Sequence, residues 1–115
     1  MHVLLDLKVG PVKARRCWTP EASNAFIDRA VQITGLDPFG ERTVCYHGQV
    51  LMFCQLIAES HIAGHLDRQH GLGWVDVFSC ADVDSELVAA AVQLHLLVGT
   101  GGRMKVQVLE RGMSP

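Results

Sequence analysis

Residues 50–58, VLMFCQLIA, form a nearly continuous apolar run of strand length. Such a run reads as a central strand covered on both sides. It delivers Glu59, Ser60 and His61 at its end, with a second histidine at His65. A polar, glycine-containing stretch, 66–73, follows. A second strand, 74–80 (WVDVFSC), then alternates Trp74, Asp76, Phe78 and Cys80 on one face with Val75, Val77 and Ser79 on the other. Ser, Cys and His are the side chains most used as nucleophiles and proton carriers. Here they gather where two strands meet a loop, and the rest of the chain reads as their scaffold.

The flanking sequence supplies that scaffold. Residues 2–8 (HVLLDLK) read as a strand ended by Gly10 and Pro11, and 13–16 as a basic loop. Thr19, Pro20 and Glu21 open a helix over 20–34: Thr caps, Pro suits the first helical position, and Glu complements the dipole. Gly35 is its natural stop. Residues 42–47 read as a strand turning at Gly48, and 61–65 have the composition of a short further strand. Asp82 and Asp84 are cap candidates for a second helix over 84–98, apolar nearly all round. Residues 103–109 alternate as a last strand with Met104, Val106 and Val108 inward. Short connections between strands imply antiparallel pairing. The expected fold is therefore α+β: one domain over 1–115, a two-layer sandwich of a mostly antiparallel sheet with two helices on one face.

Composition narrows the partners. A net charge of −2, no basic stripe and few aromatics argue against nucleic acid. No apolar run reaches 18 residues, so no membrane span is expected. Four cysteines without a CxxC pair suit a reducing, cytoplasmic setting.

The residues alone leave three readings of the central stretch. His61 and His65 can be core or rim histidines, with Ser60 an ordinary strand-end serine. They can be metal ligands, helped by Cys45, Cys54 or Cys80. Strand and turn flanks and the lack of an HExxH motif oppose this, so no metal is expected. Or Ser60, His65 and Cys80 can form a nucleophile with proton carriers. No G-x-S-x-G elbow surrounds Ser60, and no carboxylate is evidently placed to orient a histidine, so a known type of serine hydrolase is not supported.

The segment LIAESHIAGH, with the cysteine of VDVFSC twenty residues after the serine, resembles the small bacterial and archaeal S-adenosylmethionine decarboxylases. The opening HVLLDL, the chain length and the element order extend the likeness. The resemblance implies a proenzyme that cuts itself between Glu59 and Ser60. The serine hydroxyl attacks the preceding carbonyl and converts the amide into an ester. Elimination releases the upstream chain, and the remaining dehydroalanine hydrolyses, losing ammonia, to a pyruvoyl group. That cofactor forms a Schiff base with an amine substrate and accepts the electrons left when CO2 departs. Carried over by position, His65 assists self-processing, Cys80 returns a proton to the substrate carbon, and His61 is the histidine beside the cut. Tyr46 falls where the family stacks an aromatic on adenine. The resemblance also implies a homodimer of processed chains serving polyamine (spermidine) synthesis.

Four positions depart from the family pattern. Gln69 stands where the family's Glu binds the ribose hydroxyls. Asp67 and Arg68 replace a Trp-Pro pair. Met52 occupies the place of a serine that helps processing. The cofactor-forming core is kept while the substrate wall changes. S-adenosylmethionine is therefore the leading substrate, with ornithine or arginine, paired through Asp67, as the alternative. A processing-dead binding or regulatory relative is a third reading, motivated by Met52.

Overall fold

The computed structural model describes residues 1–58 and 60–110. Its elements run β1 (His2–Lys8), α1 (Pro11–Cys17), α2 (Pro20–Thr34), β2 (Pro38–His47), β3 (Val50–Ile57), β4 (Ser60–Asp67), β5 (Leu72–Phe78), α3 (Ser85–Val92), a π-helical turn (Gln93–Leu97) and β6 (Arg103–Leu109). The strands form one antiparallel six-stranded sheet in the order β2-β3-β4-β5-β1-β6. The helices pack against the sheet, an α+β fold. Both expected helices are present, and α1 adds a third.

Alternation decides which side of each strand enters the core. Val3, Leu5 and Leu7 of β1, Leu51, Phe53 and Ile57 of β3, Ile62 and Leu66 of β4, and Val75 and Val77 of β5 are all buried. They meet Phe26, Ile27 and Ala30 of α2 and Val88, Ala91 and Val92 of α3. The opposite side carries His2, Asp6, Met52, Cys54, Leu56, His61, His65, Trp74, Asp76 and Phe78, and among the described residues no helix covers it. This open face corrects the reading of 50–58 as a doubly covered strand: β3 is covered on one side only, and Leu56 is 48% exposed.

Local chemistry explains the element ends. Thr19 Oγ1 accepts from the Ala22 N–H at 3.1 Å, with Pro20 at the first helical position, and Gly35 closes α2 in the left-handed region at φ 70°. Asp84 accepts from the Glu86 N–H at 2.9 Å and opens α3.

Several boundaries differ from expectation. The basic segment 13–16 is helical, because Pro11 suits a helix start and Ala14 and Trp18 bury beneath it. Trp18 is fully buried, and its indole N–H donates to Leu96 O at 2.9 Å, tying α1 to the π-helical turn. The second helix is α-helical only to Val92, and its last turn widens into the π form. β4 runs the whole of Ser60–Asp67, longer than 61–65. β5 starts at Leu72 and ends at Phe78, leaving Cys80 beyond the strand. Val106 and Val108 are 39% and 44% exposed: β6 is an edge strand whose Met104 packs on the core while its later residues are only partly covered.

Candidate active site

Ser60 is the first residue of β4 and sits opposite Ile57. The chain at Ile57 and Ala58, just upstream, is held. Pro38 pairs with Ile57, and the Ala58 N–H donates to Asp37 O at 2.9 Å. Just upstream, β2 shifts register between Phe39 and Thr43. That irregularity is secured by Gln55, whose amide donates to Phe39 O at 3.3 Å and Leu56 O at 2.8 Å. Gln55 Oε1 accepts from Arg42 Nε at 3.0 Å, and Arg42 reaches Asp28 of α2 at 2.7 Å. A buried amide thus finds partners on every side, as burial requires. Ser60 Oγ differs: it is buried and makes no hydrogen bond among the described residues. Glu59, the other half of the expected cleavage site, lies outside those residues.

His61 follows on the open face. Its ring stacks on Phe78 at a centroid distance of 5.6 Å and 19° between planes. His2, which the sequence reading overlooked, completes the group: its ring is 5.5 Å edge-on from Phe78 and 6.5 Å from His61. The register His61–Phe78–His2 across β4, β5 and β1 makes this contact. Only the strand order brings β1 beside β5, although the alternation of 2–8 already set His2 opposite the core positions. Cys80 follows two residues after Phe78 and is exposed. The segment before it is pinned: the Met1 α-ammonium donates to Ser79 O at 2.7 Å, and the Ser79 N–H donates to Met1 O at 2.9 Å. Ser60, His61 and Cys80 therefore share one end of the sheet.

The remaining candidates lie elsewhere. His65 is on the open face, opposite Met52 and Trp74. It stands five residues, roughly 16 Å, along β4 from Ser60. Tyr46 pairs with Leu51 near the far end of β3, with the Arg68 guanidinium 5.2 Å above its ring. Asp67 ends β4, roughly 23 Å from Ser60. Its carboxylate accepts from the Gln69 N–H at 3.0 Å and the His70 N–H at 3.1 Å, and pairs with the His70 ring at 2.8 Å. The side-chain bond to His70 holds the Asp67 carboxyl below its ordinary range. Asp67 is thus engaged by its own turn, and Gln69 is exposed beside it. His61 and His65 stand about 13 Å apart along one strand. Among the described residues no three His, Cys, Asp or Glu side chains are grouped to hold a metal ion, and no helix is long and apolar enough to cross a membrane.

The family model described as S-adenosylmethionine decarboxylase matches residues 1–112. The chain belongs to the S-adenosylmethionine decarboxylase family. Among solved structures, this family member is similar to the adenosylmethionine decarboxylase of Aquifex aeolicus VF5. The identity is 27% over 99% of this chain and 91% of that one, with a TM-score of 0.75. No curated protein matches. In this decarboxylase-family chain the expected site residues divide between two ends of the sheet. Ser60, His61 and Cys80 stand at one end, Tyr46, Asp67 and Gln69 at the other, and His65 between them.

Proposed function

We propose that the chain is a self-processing, pyruvoyl-dependent decarboxylase acting on S-adenosylmethionine in polyamine synthesis. One observation carries the reading. In a chain that matches the family over 1–112, Ser60 begins a strand, with its hydroxyl buried and unpartnered among the described residues. A buried hydroxyl without a hydrogen bond is costly, and such sites cluster at functional positions. Ser60 also fits the group the family uses, because that group is made from this side chain.

Ser60 Oγ attacks the Glu59 carbonyl, and the chain then parts between Glu59 and Ser60. His65 is the histidine to which the family resemblance assigns the proton transfer of that step. Cys80 holds a proton near the substrate carbon that loses its carboxylate. That role needs a thiol and so a reducing compartment, the cytoplasm. His61, braced on Phe78, lines the same end. A pyruvoyl group at position 60 supplies a ketone that withdraws electrons from the bond to the departing carboxylate.

Within one chain His65 is too far along β4 to serve its own Ser60. A homodimer would lay a second copy across the open face, where His65 stands, whereas Ser60, paired with Ile57 and alternating with Ile62, starts β4 on the core side. The half-exposed Leu56 and Trp74 on that face support such a homodimer, since an uncovered apolar face favours association. The internal bonds of Asp67 weigh against pairing with the distal amine of ornithine or arginine, so S-adenosylmethionine remains the leading substrate.

Intact-mass measurement on the purified, denatured chain tests the reading. Self-processing yields residues 1–59 and 60–115, the second piece lighter than a serine-ended peptide by one ammonia. The Ser60→Ala chain stays whole and inactive. A single uncut wild-type chain would overturn the assignment and favour a regulatory or binding relative, for which Met52 opposite His65 is the motive.

A further inference from the structure

The end of the sheet that bears Ser60 and Cys80 carries a cluster of three rings drawn from three strands. His61 of β4 and His2 of β1 both pair with Phe78 of β5, so the three side chains share one face. The His61 ring lies nearly parallel to Phe78, at 19° and 5.6 Å between centroids. The His2 ring stands across both, at 88° to Phe78 and 80° to His61, with centroids 5.5 Å and 6.5 Å away. Offset-stacked and edge-to-face arrangements are the ones that ring quadrupoles favour.

The third ring is aimed by a charge. Asp76, two residues before Phe78 on β5, brings Oδ2 to 3.8 Å from His2 Nε2. That nitrogen is buried and makes no hydrogen bond among the described residues. His2 has no other acidic partner among them, and its neighbour on β6, Leu109, is apolar.

The cluster ties together the two strand ends that the chemistry needs. His61 is joined directly to position 60, and Phe78 lies two residues before Cys80. Scission removes the bond between Glu59 and Ser60. Residue 60 is then a chain end, held by the pairing of β4 and by its neighbour His61. A displacement of about 1 Å at a reacting centre can cost roughly a hundredfold in rate, so whatever fixes His61 against Phe78 acts on turnover once the cut is made.

We infer that His2 is a positioning residue of the decarboxylase. Aimed by Asp76, it wedges the His61–Phe78 stack and so fixes the end of β4 that bears position 60 against the end of β5 that leads to Cys80. The link to turnover rests on the decarboxylase reading; the ring arrangement does not.

Two measurements on the full chain test this role. In the Ser60→Ala chain, expected whole, the ring C–H signals of isotope-labelled histidine are recorded by NMR, with His61 assigned through His61→Gln. The Phe78 ring current displaces the His61 signals from their free-histidine positions. His2→Ala should remove at least half of that displacement. His2→Phe, which keeps a ring in the wedge, should restore most of it. In the chain that retains Ser60, kcat for CO2 release from S-adenosylmethionine should fall about tenfold or more in His2→Ala, with self-cleavage kept and KM within about threefold. His2→Phe should recover most of that loss, and Asp76→Asn should move both readouts toward His2→Ala. Unchanged His61 signals, a loss carried by KM, a His2→Phe chain no better than His2→Ala, or an Asp76→Asn chain equal to wild type in both readouts overturns the inference. Because His2→Phe keeps the packing, the test survives poor folding of His2→Ala. A wild-type chain that stays uncut yet shows the His2-dependent displacement would refute the decarboxylase reading alone.

Discussion

Substituting Gly64 by Ala tests the packing under the site. A Cβ built at Gly64 comes 2.3, 2.6 and 2.9 Å from Cζ, Cε2 and Cε1 of Phe53. Ordinary contact begins near 3.4 Å, so ring or strand must move by roughly 1 Å in an interior packed as densely as a crystal. The Phe53 ring cannot swing aside freely. It is 3% exposed and lies 5.9 Å edge-on from the buried Phe26 of α2. Overpacking of this kind costs about 1–3 kcal/mol, and Ala in a strand recovers about 0.5–1 kcal/mol that Gly loses in backbone entropy. A net loss of about 1–2 kcal/mol is expected, a fall of roughly 4–8 °C in Tm for a domain of this size.

The assay is urea and thermal unfolding in the Ser60→Ala background, where the chain is expected whole, at one fixed protein concentration because association would shift the melt. Phe53→Leu opens the space the new methyl needs, so the double variant should lose about 1 kcal/mol less than the two single losses combined. A Gly64→Ala chain as stable as its parent, or two substitutions that add independently, would refute the packing argument.

Two further outcomes are expected. Cys80→Ala should still self-cleave, at least in part, while CO2 release from S-adenosylmethionine falls steeply; full turnover would remove Cys80 from the acid role. Asp67 has a folded pKa held below its unfolded value by His70. Its stabilising contribution is present above about pH 4 and is lost as pH falls through the folded value. The Tm gap between wild type and Asp67→Asn, which keeps an acceptor for the turn amides, should therefore close on acidification. A gap constant from pH 6 to pH 2 would contradict the pairing.

Much of the scaffold is written locally. The alternation of 74–78 (within the expected 74–80) and of 2–8, the Thr19–Pro20 start and the Gly35 stop are short-range patterns that need few neighbours to act, and the structure keeps each of them. The segment joining Ser60, His61, His65 and Cys80 by spacing was equally legible, and it pointed to the family that the comparisons support. The missed features depend on partners distant in sequence. A seven-residue basic helix has little propensity of its own, and α1 exists because Trp18 buries and bonds to a carbonyl 78 residues away. The exposure of Val106 and Val108 follows from the edge position of β6, which the strand's own alternation does not reveal.

The sequence by itself marked Ser60 as the candidate cofactor precursor and determined which faces its strands present, because a period of two and a serine's identity are properties of the chain alone. The tertiary structure decided who meets whom. A strand rises about 3.3 Å per residue, so five residues that look close in the sequence carry His65 far from Ser60. Meanwhile the placement of β1 beside β5 brings His2 and Asp76 together across 74 positions. Spacing along an extended chain separates residues, and only sheet pairing, paid for by burial of the opposite face, brings distant ones back into contact.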